Sequence, residues 1–221
     1  MAHPAPLAPR ARRAASALAG LAGLAALAAQ ATGCDDPVPP PALGAVSFSL
    51  GGSSCVTSSE AQDLRLGSVD ARNKSLLVDG ENGIVKCRVV PRSGGFDVLL
   101  SLTDAATKSD SFNLSGLIIP GTTTPVSASV FTSQTQSTYQ SAPVGGCGAT
   151  NCGQPCLVSF PASPDPAKPT FSIGAGRIWA AFECPALLDA GAGDPGSPCS
   201  IPPFAGQGQV GYLAFENCDE G

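Results

Sequence analysis

Gly95-Phe96-Asp97-Val98-Leu99-Leu100-Ser101-Leu102-Thr103 is the stretch that decides the fold class. Phe96, Val98, Leu100 and Leu102 alternate with Asp97, Leu99 and Ser101, so one side of an extended chain is apolar throughout. A period of two marks a half-buried β-strand. Outward from there, Pro125–Thr132 sets Val126, Ala128 and Val130 against Ser127 and Ser129. Ile84–Val90, Ser111–Ile119, Gln154–Phe160, Gly176–Cys184 and Gln209–Asn217 read as further strands, with Val46–Leu50 and Leu76–Asp79 as weaker ones. Asp79-Gly80-Glu81-Asn82-Gly83 and Ser93-Gly94-Gly95 punctuate them as turns. The expectation is an all-β, antiparallel sandwich or barrel-like domain over residues 45–221. Two short helical turns are expected, one opened by the capping box Ser59-Glu60-Ala61-Gln62 and one over Pro185–Ala190.

The N-terminus has a different character. Arg10, Arg12 and Arg13 precede an apolar run from Ala14 to Ala31, the charge and hydropathy profile of an export signal. Ala31-Thr32-Gly33-Cys34 ends it and resembles the lipobox of bacterial lipoproteins, in which the cysteine becomes the acylated first residue. The resemblance covers about the first 36 residues and is to secreted lipoproteins of high-GC Gram-negative bacteria. It implies removal of residues 1–33, a lipid on Cys34, and attachment to the inner or outer membrane facing the periplasm or the cell surface. Asp35, next to the acylated residue, bears on sorting between those membranes in enteric bacteria. Residues 34–44, with Pro37, Pro39, Pro40 and Pro41, then form a semi-rigid spacer. An uncleaved Ala-rich membrane helix and ordinary cleavage with a free Cys34 thiol are the competing readings.

The chain has nine cysteines. With Cys34 assigned to lipid, Cys55, Cys87, Cys147, Cys152, Cys156, Cys184, Cys199 and Cys218 remain, an even set suited to disulfides in an oxidising compartment. Eight cysteines allow about 105 connectivities, and the sequence does not choose among them. Cys147, Cys152 and Cys156 are clustered, yet at most one bond closes within them, so another must reach elsewhere. Their spacing is not that of a common zinc knuckle, and a disulfide-laced loop is the better reading.

Composition excludes more than it identifies. The chain's single histidine is His3 and its single methionine Met1, both ahead of Cys34. A mature chain without histidine lacks the usual Ser-His-Asp and Cys-His nucleophile systems and imidazole metal sites. Its nine basic and 17 acidic residues give a formal charge of −8, which disfavours nucleic acid as a partner. No cofactor is expected. The bilayer is reached through Cys34 and not through a basic face.

Four weaker features remain. Trp179-Ala180-Ala181-Phe182-Glu183-Cys184 echoes Tyr212-Leu213-Ala214-Phe215-Glu216-Asn217-Cys218, which suggests neighbouring strands with Cys184 near Cys218. Glu183 and Glu216 would then be the acid and base of a hydrolase such as a glycosidase, although alternation beside Phe182 and Phe215 turns both toward solvent. Thr122-Thr123-Thr124 and residues 133–141 offer a polar, uncharged surface for a glycan or protein ligand, with Tyr139 or Trp179 as stacking platform. Asp104 with Asp110, or Asp70 with Asp79, could help bind calcium with loop carbonyls, but neither pair has EF-hand or RTX spacing. Asn73-Lys74-Ser75 and Asn113-Leu114-Ser115 match the glycosylation sequon by chance if the source is bacterial. The leading function is a non-enzymatic binding or structural module of the cell envelope, and the hydrolase is the alternative.

Overall fold

Alternation survives in a structure where one face of a strand is dry and the other wet. The computed structural model describes residues 39–52, 62–66, 83–104, 110–145, 153–162, 170–191, 198–202 and 211–221. Within it, β3 (Ile84–Arg92), β4 (Gly95–Thr103), β5 (Ser111–Ile118) and β6 (Thr124–Thr132) form an antiparallel meander. Val98, Leu100 and Leu102 of β4 are buried beside Phe112 and Leu114 of β5 and Val126, Ala128 and Val130 of β6. The outward face carries Ser101, Asn113, Ser115, Ser127 and Ser129, as the alternation predicts. Gly94 makes the two-residue β3–β4 turn at φ 84°, a left-handed conformation that costs a side chain about 1 kcal/mol or more. Lys86 and Arg88 stand exposed on β3, the last strand of the sheet order. Arg92 and Asp97 lie 3.8 Å apart with both side chains about half exposed, a pair that contributes at most about 1 kcal/mol.

The other strands are β1 (Leu43–Leu50), β2 (Gln62–Leu66), β7 (Ser137–Gln140), β8 (Cys156–Ser159), β9 (Ser172–Gly174), β10 (Arg177–Asp189), β11 (Cys199–Ile201) and β12 (Gly211–Glu216). The main path of the sheet runs β2-β1-β12-β10-β7-β6-β5-β4-β3. β10 organises the half of this sheet that the meander does not. Its 13 residues meet β9, β8 and β7 in turn, and also β12 and β11. Ile178, Trp179, Ala180, Ala181 and Phe182 are buried in an unbroken run, so both faces of β10 are covered and no alternation shows. The helical turn expected over Pro185–Ala190 is instead strand, since β10 continues to Asp189. Pro185 sits where the β10–β11 register shifts between Cys184 and Leu187, a break that tolerates a residue with no N–H to donate. Gln62 begins β2 and does not belong to a helical turn, while Ser59 to Ala61 and Leu76–Asp79 lie outside the described residues.

The sheet curls onto itself. Phe48 of β1, Phe112 of β5 and Phe182 of β10 meet with ring centroids 5.2–5.9 Å apart, although the sheet order spreads these strands widely. Beyond β12, the chain lies along β3: Val89 N–H donates to Asp219 O at 2.9 Å and Asp219 N–H to Cys87 O at 3.0 Å. The Cys87–Cys218 disulfide, with Cα atoms 4.8 Å apart, locks that seam. Inside β8 and β10, Cys156–Cys184 joins adjacent strands at a Cα separation of 4.2 Å, both cysteines fully buried. The fold is therefore all-β, antiparallel, sandwich- or barrel-like and disulfide-bonded, with no helix among the described residues.

Candidate functional site

The echo between residues 179–184 and 212–218 does mark neighbouring strands, but they pair antiparallel with Ile178 opposite Phe215 and Phe182 opposite Gly211. Antiparallel pairing sends the two cysteines to opposite ends. Cys184 bonds Cys156 and Cys218 bonds Cys87, so the expected proximity of Cys184 to Cys218 is corrected. The same register separates the carboxylates. Glu216 falls opposite Arg177, six residues along β10 from Glu183, roughly 20 Å of extended strand. Acid and base flanking one glycosidic bond stand only about 5–10 Å apart, so these two do not form such a pair.

Glu183 nevertheless occupies a shaped place. Its neighbour across the sheet is Leu157 of β8, and beyond Leu157 comes Pro125 of β6. In the preceding outward row, Ala181 of β10 faces Ser159 of β8 on one side and Tyr212 of β12 on the other. Ala181 and Phe182 are buried there, with Leu157, Ser159, Phe160, Pro161 and Glu183 half-buried around them. A groove of about 430 Å³ opens there, lined by Gly121, Thr122, Thr123, Leu157, Ser159, Phe160, Pro161, Ala181, Phe182 and Glu183. That volume lies within the usual range of small-molecule sites, about 300–1,000 Å³.

Its polar rim is organised by the β5–β6 turn. Thr122 Oγ1 donates to Ile119 O at 3.0 Å, and Ile119 N–H donates to Thr124 Oγ1 at 3.2 Å. Thr122 and Thr124 are thus engaged in holding the turn, and Thr123 is left exposed at the rim. Opposite, Ser159 and Glu183 are half-buried. Glu183 has no hydrogen-bond or ion-pair partner among the described residues.

The two expected stacking platforms are not platforms. Tyr139 is 1% exposed, with its hydroxyl donating to Thr135 Oγ1 at 3.0 Å. Trp179 is 8% exposed and packs with Ala45 and Ala214 on the side of the sheet away from the main core, against half-buried Leu43 and Phe171. Its indole N–H is buried without a hydrogen-bond partner among the described residues. The hydroxyl-rich stretch from Ser133 is structural in part: Asp110 Oδ1 accepts from Ser133 N–H at 2.7 Å and Ser133 Oγ at 2.9 Å. No group of three or more His, Cys, Asp or Glu that could hold a metal occurs among the described residues. Asp104 N–H donates to Asp110 O, while Asp70 and Asp79 lie outside the described residues.

Of the eight cysteines expected to pair, Cys87, Cys156, Cys184 and Cys218 do so as above, and Cys199 is disulfide-bonded as well. Cys55, Cys147, Cys152 and the lipidation candidate Cys34 lie outside the described residues. Ser159, Phe160 and Ala181 were missed as site residues. The strand expected over Gln154–Phe160 puts Leu157 and Ser159 on one face, but nothing in it announces that this face adjoins β10. Compared with protein-family models, curated proteins and solved structures, the chain matches none.

Proposed function

We propose that this protein is an exported lipoprotein, anchored through an acylated Cys34, whose β-domain serves as a non-enzymatic binding or structural module of the cell envelope. The observation that carries the proposal is the oxidation state of its cysteines. All five described cysteines are in disulfides, which persist in oxidising compartments and are rare in reducing ones. An export signal ending at Cys34 accounts for that chemistry. The described fold reaches back into the expected spacer: β1 begins at Leu43, and Asn217 Nδ2 donates to Pro41 O at 3.1 Å, so the domain begins nearer to Cys34 than residue 45. The distance between Glu183 and Glu216 favours binding over hydrolysis as the role of the groove.

The test is the intact mass of protein from a membrane fraction, alkylated without reductant. The expected result is the mass of residues 34–221 plus diacylglycerol, with no alkylated thiol. A mass without lipid, or with several alkylated cysteines, overturns the compartment argument and reopens thiol or metal chemistry at Cys147 and Cys152.

A further inference from the structure

We infer that the groove between Thr123, Ser159 and Glu183 is a subsite for a neutral saccharide. The inference rests on the binding-module reading above and gives that module a site and a ligand class.

The lining is divided by chemistry. Thr123 and Ser159 supply hydroxyls and Glu183 a carboxylate, Thr122 keeps its hydroxyl proton on Ile119 O, and Leu157, Phe160 and Pro161 supply carbon surface. A pyranose ring has the same two characters, hydroxyls around its edge and C–H bonds on its faces. Hydroxyl side chains both donate and accept, which suits the vicinal hydroxyls of a sugar. A carboxylate accepting from two ligand hydroxyls makes charge-assisted bonds, stronger than neutral ones. Glu183 is available for this, being half-buried and without a partner among the described residues. Among the described residues no Lys or Arg lines the groove, so it offers an anionic ligand no cationic partner there. A cationic ligand would find a single carboxylate, and most of the rim would go unused.

The floor belongs to β10 and β8, which Cys156–Cys184 joins covalently one rung away. The rim at Thr122 and Thr123 is held by the hydrogen bonds of the β5–β6 turn. A site so fixed loses little entropy on binding. The chain's only tryptophan, Trp179, lies two residues from Ala181 on the same side of β10, roughly 7 Å along the strand, and serves as an intrinsic reporter.

The experiment uses detergent-extracted mature protein with disulfides intact. Tryptophan fluorescence and calorimetry are recorded against neutral oligosaccharides of hexoses and of N-acetylhexosamines, with a tetralysine peptide as cationic control. At least one neutral oligosaccharide is expected to bind saturably, and tetralysine is not. Glu183→Gln should weaken that binding about tenfold, and Thr123→Trp, which fills the mouth from an exposed position, should abolish it. Both variants should keep the parent's far-ultraviolet circular dichroism and thiol count. Binding of tetralysine alone, binding of no oligosaccharide, or undiminished binding by both folded variants overturns the inference. None of these outcomes bears on lipidation, which the mass measurement reads separately.

Discussion

The meander β3–β6 and the hub around β10 are built from the same kind of strand by different means. In the meander, neighbours in sequence are neighbours in space: connections of two, seven and five residues join strands of eight or nine residues. Each strand has one dry and one wet face, and its register follows from its own alternation. In the hub, β10 is paired by β7, β8, β9, β11 and β12, pieces of three to six residues gathered from residues 137–216. Such short pieces bury too little surface to hold a register alone. The hub therefore relies on cross-links and on a common core, while the meander relies on local pairing. The difference predicts unequal responses to the same kind of damage.

The largest effect should come from the seam between the two regions. Cys87 on β3 and Cys218 beyond β12 are 131 residues apart, and closing a loop of that length restricts the unfolded chain by about 5 kcal/mol in the chain-entropy estimate. Cys156 and Cys184, inside the hub, are 28 apart, which gives about 3.5 kcal/mol. Cys87→Ala with Cys218→Ala should thus destabilise more than Cys156→Ala with Cys184→Ala in equilibrium denaturant unfolding. The reverse order would mean that the tail holds its place on β3 by its backbone hydrogen bonds, and that the hub is the part in need of a staple.

Next comes the shared core. Phe182 of β10 touches both Phe48 and Phe112, and Phe182→Ala should cost about 3–5 kcal/mol. Hydrogen exchange on the variant sharpens the comparison. Protection should fall in β8, β9, β11 and β12, whose positions depend on β10, before it falls in the rungs of β3–β6. A uniform fall across all strands would show that meander and hub are one cooperative unit.

This division also explains what could be read from the chain alone. The meander was legible because Val98, Leu100 and Leu102 face one way and Asp97, Leu99 and Ser101 the other. β10 was legible as a strand only as far as Cys184, because its buried run from Ile178 to Phe182 shows no period and Pro185 looks like a terminator. β9 and β11, of three residues each, carry no pattern at all. The groove was half visible. Thr122, Thr123 and Glu183 were noticed for their chemistry, but only the placement of β8 between β6 and β10 brings them together. Gly211 shows why such contacts escape a linear reading: a Cβ there would lie 2.3 Å from the carbonyl oxygen of Phe182, a constraint set by a strand some 30 residues away.

The smallest expected effect tests the meander's own logic. Leu99 is 55% exposed on the outward face of β4, between Arg88 of β3 and Ser115 of β5. Leu99→Ser removes little buried surface and should change stability by no more than about 0.5 kcal/mol, a melting shift of roughly 2 °C or less. The next residue, Leu100, is 1% exposed, and its truncation to Ala should cost about 2–5 kcal/mol. Two adjacent leucines of identical chemistry then differ severalfold because the pleat turns one to water and one to the core. If Leu99→Ser proves as costly as Leu100→Ala, the outward face of β4 is covered in the native protein. An exposed leucine there would have to be counted as part of an interface, and the meander would lose the wet face from which its register was read.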